Sequence, residues 1–289
     1  MKTRSGNNPG MSDATPSPPA KVHVVKASSV GAEAQMRAEP LRIEYSSTRV
    51  MADAGARLMR RHGVIRMDRS ALAEAFKMLR NQVLQRMRAD GLRLLAVTSP
   101  RRIDGKSLTA VNLALSIAAD LDTAVLLVDA DLSGQGLQSI FGLDDARGLG
   151  DHLLDRVPIA ELLINPGVDR FVFLPAGQRA VMNSAELLAT KAAQQLIVEM
   201  KERYQDRYII VDLPPLLDTA DALAFLPQVE TTLVVIEEHT TLLQDMESVA
   251  ELLAPFNLIG TVMSQPPEQA TDEAARSRPW YRRWFAGRT

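Results

Sequence analysis

From about residue 70 onward the chain alternates between two spacings of apolar positions. SALAEAFKMLRNQVLQRMRADG sets Leu72, Phe76, Leu79, Val83 and Met87 near helical spacing, with Asp68, Arg69 and Ser70 as cap residues and Gly91 as a stop. That pattern predicts a helix over 68–90. The rhythm then changes. RLLAVTS (93–99) is a short β-prone run, KSLTAVNLALSIAADL (106–121) a helix, and TAVLLVDAD (123–131) a buried strand ending in two aspartates. RFVFLPAG (170–177) reads as a strand, SAELLATKAAQQLIVEMKERY (184–204) as one helix, and YIIVDLPP (208–215) as a strand ending in aspartate. TTLVVIEE (231–238) and LIGTVMS (258–264) read as the last strands, with the helix TLLQDMESVAELLAPF (241–256) between them. Strands apolar throughout, alternating with helices, predict an α/β fold: a doubly wound, mostly parallel sheet covered on both faces.

The flanks follow a different pattern. Residues 1–20 are rich in Pro, Ser, Gly and Asn, and residues 21–65 scatter a few apolar positions among arginines. Such segments bury too little apolar surface to offset chain entropy, so 1–65 is predicted to be largely disordered. Residues 66–265 then form one domain, including the leading helix. Residues 266–289 form a tail that, from Arg276 on, carries five arginines, two tryptophans, one tyrosine and one phenylalanine, and no acid.

Composition narrows the function classes. With 46% apolar residues a substantial core can be buried, and a net charge of −2 argues against a general nucleic-acid binder. There is no cysteine, which excludes disulfides and thiolate metal sites and fits a reducing compartment. The four histidines (His23, His62, His152, His239) lack the close spacing of a metal pair. No apolar stretch approaches the roughly 20 residues that span a bilayer, and no apolar segment follows the basic N-terminus. The expectation is a soluble, cytoplasmic protein that reaches a membrane only through a partner or its tail.

In an open parallel sheet, ligands bind at the carboxyl ends of the strands. The residues predicted there are Gly105-Lys106-Ser107, then Asp129 and Asp131, then Asp212. An ammonium, a hydroxyl and three carboxylates suit Mg-ATP: amides at a helix start bind phosphate, the lysine offsets its charge, and the serine ligates Mg2+. Carboxylates hold the metal directly or through water and orient a nucleophile. Each feature taken singly also has a plainer reading, respectively a solvated helix start, helix capping and a simple strand end.

Over roughly residues 70–264 the chain resembles the bacterial tyrosine kinases of capsule and exopolysaccharide synthesis, relatives of the MinD/ParA P-loop ATPases. Their first motif reads T-S-x-x-P-G-E-G-K-S/T, and Thr98-Ser99 and Gly105-Lys106-Ser107 match it. VLLVDADL matches their apolar strand with D-x-D, and IIVDLPP their D-x-P-P. FGL (141–143), LPAG (174–177) and NSAELL (183–188) are softer matches. The resemblance implies that Lys106, Asp129, Asp131 and Asp212 are catalytic and that Arg101, Arg102, Ile103, Asp104, Gly105, Lys106, Ser107 and Leu108 bind the nucleotide. It also implies that Ser107, Asp129 and Asp212 serve the metal. Glu74, Lys77 and Arg80 follow the family's E-x-x-R-x-x-R subunit-contact pattern, with one Arg replaced by Lys; the same spacing also suits an intrahelical ion pair.

The chain departs from that family in three places. The usual P-G of the loop is Arg102-Ile103, with Asp104 at the acidic position. Isoleucine is costly there if the position needs positive φ. Arg101 falls where MinD-type ATPases carry a second lysine, which implies a reach across a dimer. Ser133-Gly134-Gln135 replaces the basic residue after D-x-D, and Tyr281 is the single tyrosine of a tail that usually holds several. The first expectation is therefore an ATP-dependent tyrosine autokinase, oligomeric, phosphorylating Tyr281 of a neighbour and activated by a membrane chain-length-determinant protein. A MinD/ParA-like ATPase switch, with the tail on lipid or a partner, and a nucleotide-binding scaffold without kinase activity remain alternatives.

Overall fold

A computed structural model describes residues 48–60, 64–65, 70–102, 105–133, 137–178, 181–203 and 206–264. Eight strands run in chain order: β1 (Arg49–Val50), β2 (Leu94–Thr98), β3 (Ala124–Asp129), β4 (Ile164–Asn165), β5 (Phe171–Leu174), β6 (Arg207–Asp212), β7 (Thr231–Glu237) and β8 (Leu258–Ser264). They form one sheet in the order β1-β4-β5-β3-β6-β2-β7-β8. Every described pairing is parallel except β4 with β5. The chain steps from β2 past the place of β6 to β3, and later to β7 on the other side of β2. The winding therefore reverses at β2, where such sheets bind ligands.

Alternation along the strands divides the core into two layers. Leu95, Val97, Val125, Leu127, Ile210 and Val235 face one side, under α1 (Ala52–Arg60), α2 (Ala71–Ala89) and α3 (Gly105–Ala118). Leu94, Ala96, Leu126, Val128, Ile209 and Val211 face the other. That second side is covered by α5 (Leu149–Asp155), α6 (Ile159–Leu162), α7 (Ser184–Leu188), α8 (Lys191–Arg203), α9 (Asp221–Phe225) and α10 (Leu243–Leu253), while α4 (Gln138–Phe141) packs on the first. Strands buried on both faces need apolar residues at every position, which is why the unbroken runs identified them. α3 is buried around nearly its whole circumference because α2 packs on the side turned away from the sheet.

Among the described residues the predicted elements sit where expected, with α2 capped by Ser70 (Asp68 and Arg69 lie outside the described residues), and there are two differences. The helix read over 184–204 is two helices, α7 (Ser184–Leu188) and α8. Between them the Thr190 hydroxyl donates to the Leu187 carbonyl (2.7 Å) and accepts from the Ala193 N–H (3.3 Å). A side chain that serves both backbones in this way favours a cap over a continuous helix. The second difference lies in the segment predicted to be disordered, where residues 49–60 form β1 and α1 and join the domain. Ala54 and Leu58 are fully buried, and a Cβ on Gly55 would lie 2.0 Å from the Pro166 carbonyl oxygen, so only glycine allows that approach. Two strand residues and nine helical ones carry too short a pattern to stand out in sequence.

Among the described residues no helix is long and apolar enough to cross a membrane. The 1–47 part of the N-terminal segment and the tail from 265 on lie outside the described residues. Because Leu58 inserts fully into the core, Leu58→Ala is expected to destabilise the domain by about 2–5 kcal/mol, read as a lower urea midpoint with unchanged slope.

Candidate functional site

Three strand ends bring the chemistry together. In the sheet register Asp129 is the partner of Asp212 across β3 and β6, and Val97 is the partner of Asp212 across β2 and β6. α3 starts at Gly105, immediately past the loop that leaves β2, so Lys106 and Ser107 enter its first turn directly over β6. The glycine is required on packing grounds, since a Cβ on Gly105 would lie 2.5 Å from the Ser264 hydroxyl at the end of β8.

Lys106 Nζ lies 2.6 Å from Asp212 Oδ1 and 3.0 Å from Ser107 Oγ, and the Ser107 hydroxyl donates to Asp212 Oδ2 at 2.6 Å. Lys106 and Asp212 are both buried, so this is a closed, desolvated triangle of ammonium, hydroxyl and carboxylate. Asp129 and Asp131 stand beside it. The Asp131 N–H donates to Asp129 Oδ1 at 3.1 Å, and the Ser133 N–H and hydroxyl both donate to Asp131 Oδ1. Asp129 Oδ2 is buried with no hydrogen-bond partner among the described residues.

The field around Asp129 follows from this crowding. Burial, reinforced by the neighbouring Asp212 and Asp131 carboxylates, pushes its pKa up to about 8. Burial also pushes Asp212 above its ordinary value, opposed by Lys106 and Ser107. A buried, crowded carboxyl with one unsatisfied oxygen is a group that a cation would stabilise. The residues present therefore fit a Mg2+ carried on nucleotide phosphates, with Ser107 and Asp129 as the groups that would hold it. Among the described residues no three carboxylate or imidazole groups form a ready metal cage. Mg2+ delivered on a triphosphate does not need one, because it keeps water and phosphate oxygens as ligands.

The remaining predicted residues fall into distinct places. Leu108 is half-buried and packs on the core, leaving its backbone to the site. Arg101 and Arg102 flank the loop. The Arg101 guanidinium bonds to Asp245 on α10, with Nη2–Oδ1 at 2.9 Å, and to Asp218, while the Arg102 N–H donates to Asp218 (2.8 Å). Ile103, Asp104 and Tyr281 lie outside the described residues. Glu74 and Lys77 pair within α2 at 2.7 Å on an exposed face, and Arg80 reaches the Ser116 carbonyl of α3 at 3.0 Å. Sequence reasoning missed Asp218 and Asp245, which reach the loop from distant crossovers, and Ser264 at the end of β8; none carries a local motif.

A parallel sheet reversing at β2, a glycine-lysine-serine helix start and carboxylates at the next strand ends define a P-loop nucleotide-binding protein. The model of the ParA family, described as NUBPL iron-transfer P-loop NTPase, matches residues 93–258, more than half of the chain, and the chain belongs to this family. Among curated relatives it is 23% identical over 201 residues to the putative tyrosine-protein kinase CapB of Staphylococcus aureus, covering 69% of this chain and 86% of CapB. It is 28% identical over 175 residues to the tyrosine-protein kinase Wzc of Salmonella typhi, covering 61% of this chain and 24% of that one. The chain thus spans about a quarter of the length of such longer relatives. The kinase domain of the Escherichia coli tyrosine kinase ETK superposes with a TM-score of 0.64 at 26% identity, covering 78% of this chain and 91% of that domain.

The raised pKa of Asp129 has a measurable consequence. An unfolded aspartate releases its proton near 3.8 and the folded one near 8, so between these values the native state binds more protons than the unfolded state. Stability from this group is complete below about pH 4 and is lost as pH rises toward 8, by up to about 1.4 kcal/mol per pH unit. Asp129→Asn is therefore expected to stabilise the nucleotide-free protein at pH 8 more than at pH 5, seen in paired denaturation curves. The same change is expected to weaken Mg2+-dependent nucleotide binding.

Proposed function

We propose that the protein is an ATP-dependent protein-tyrosine autokinase of the capsule and exopolysaccharide type. It would transfer the γ-phosphoryl of Mg-ATP to Tyr281 of a neighbouring subunit. The observation that carries this reading is the buried triangle of Lys106, Ser107 and Asp212 beside the unsatisfied oxygen of Asp129. The relatives named tyrosine-protein kinases supply the reaction class.

The chain's own groups have separate tasks. Lys106 exchanges its carboxylate partner for phosphate oxygens and holds them in place. The amides at the start of α3 add donors along the phosphates. Ser107 and Asp129 hold the metal, and bound Mg2+ supplies charge neutralisation at the phosphates. Asp131, fixed by Ser133, and Asp212 orient the groups around the transferring phosphoryl and take up the proton of the attacking hydroxyl. Positioning and electrostatics supply most of the acceleration in such reactions.

Glu74, Lys77 and Arg80 present a charged face on α2 suited to a subunit contact. We further propose, in keeping with that resemblance, a membrane chain-length-determinant protein as activator, through which the protein would work at the inner face of the membrane. The lone tail tyrosine favours one second reading, an ATPase switch whose basic, aromatic tail holds lipid or a partner.

Incubation of purified protein with Mg-ATP, followed by mass spectrometry, is expected to show phosphate on Tyr281. Lys106→Met is expected to lower labelling by at least a hundredfold, in line with the loss of a principal electrostatic group (roughly 3 kcal/mol or more). Phosphate release without label would favour the switch, and persistent unhydrolysed ATP the scaffold.

A further inference from the structure

The phosphate loop leaves β2 through Ser99, Pro100, Arg101 and Arg102, and the contacts that hold this stretch come from elsewhere in the chain. The Leu216 and Leu217 N–H groups donate to the Ser99 and Pro100 carbonyls, each at 2.9 Å. The Ser99 hydroxyl donates to the Arg101 carbonyl at 2.7 Å. The Arg101 side chain then crosses to α10. Its Nε lies 3.1 and 3.0 Å from the two oxygens of Asp245, and its Nη2 2.9 Å from Oδ1. Its Nη1 lies 3.4 Å from Asp218 Oδ1, while the other Asp218 oxygen accepts the Arg102 N–H at 2.8 Å. Guanidinium and backbone are thus tied to carboxylates from two crossovers, one after β6 and one after β7.

Two features separate this arrangement from an ordinary surface ion pair. The Asp245 side chain is only 10% exposed whereas that of Arg101 is 56% exposed, so the guanidinium covers a desolvated carboxylate. A buried carboxylate stripped of its partner is strongly unfavourable, which holds Arg101 in place. The planar fork also fixes direction as well as distance.

We infer that Arg101 is a positioning residue: with Asp245 and Asp218 it latches the phosphate loop to α10, and it serves nucleotide binding through that latch. The inference rests on the nucleotide-binding reading above. Its charge is matched by two carboxylates of its own subunit. Its contribution is therefore preorganisation of the loop, with neither direct attraction to phosphate nor a reach to another copy.

The sign of one substitution decides the matter. Asp245→Asn keeps shape and removes charge. If Arg101 were a phosphate ligand restrained by Asp245, this change would free it and tighten binding. The latch predicts the reverse: Mg-ADP, titrated calorimetrically into the full chain, binds roughly three- to tenfold more weakly to Asp245→Asn. Arg101→Ala falls in the same range, and the double variant is no weaker than the poorer single one. Tighter or unchanged binding by Asp245→Asn, or additive losses in the double variant, overturns the proposal.

Hydrogen exchange of the nucleotide-free proteins gives a second, independent readout. The Arg102 amide, and those that open α3, should exchange faster in Asp245→Asn than in wild type. Equal rates overturn the latch whatever the nucleotide result. Failure of the wild type to bind Mg-ADP would instead remove the nucleotide reading, and the exchange comparison would still decide the latch.

Discussion

The candidate site depends on a buried charge pair, Lys106 against Asp212. Asp212 is fully enclosed at the end of a central strand, where an ionised carboxylate without a partner would be strongly unfavourable. Lys106 and Ser107 satisfy it, and in doing so pin the first turn of α3 to the end of β6. That turn also supplies the amides and hydroxyl that phosphate chemistry uses. The contact that lets the fold tolerate Asp212 therefore also holds the site in shape without ligand.

The carboxylates illustrate how register becomes electrostatics. Asp129 and Asp212 end adjacent parallel strands as direct partners, so their proximity is imposed by backbone pairing. Asp129 is fully buried and stands beside two carboxylates while Lys106 closes on Asp212, which is why its proton is held so tightly. A site built this way carries latent repulsion that a cation relieves. The same carboxylate would favour metal binding while it disfavours the empty protein at neutral pH.

Much of this was legible in the sequence because the signals were local. Unbroken apolar runs ending in Asp129 and Asp212 gave both the strands and the site, and Gly105-Lys106-Ser107 marked the start of α3. What stayed hidden depends on distance along the chain. Asp218 and Asp245 meet the loop from more than a hundred residues away. Gly105 needs to be glycine because of Ser264, and Thr190 divides a helix whose apolar spacing runs straight through it. β1 and α1 are too short for periodicity to reveal, and their place is set by the pocket that receives Leu58 and Gly55.

The close approach of Gly105 to Ser264 bears on the geometry of any reaction with the tail. Ser264 is the last described residue, so whatever follows is rooted beside the cradle that would hold the nucleotide. A span from 264 to 281 can extend at most about 60 Å by covalent geometry alone. A group at Tyr281 thus stays within that covalent radius of the cradle, whatever course the intervening residues take. Inserting or deleting residues between those points would change that radius without touching a single group of the cradle.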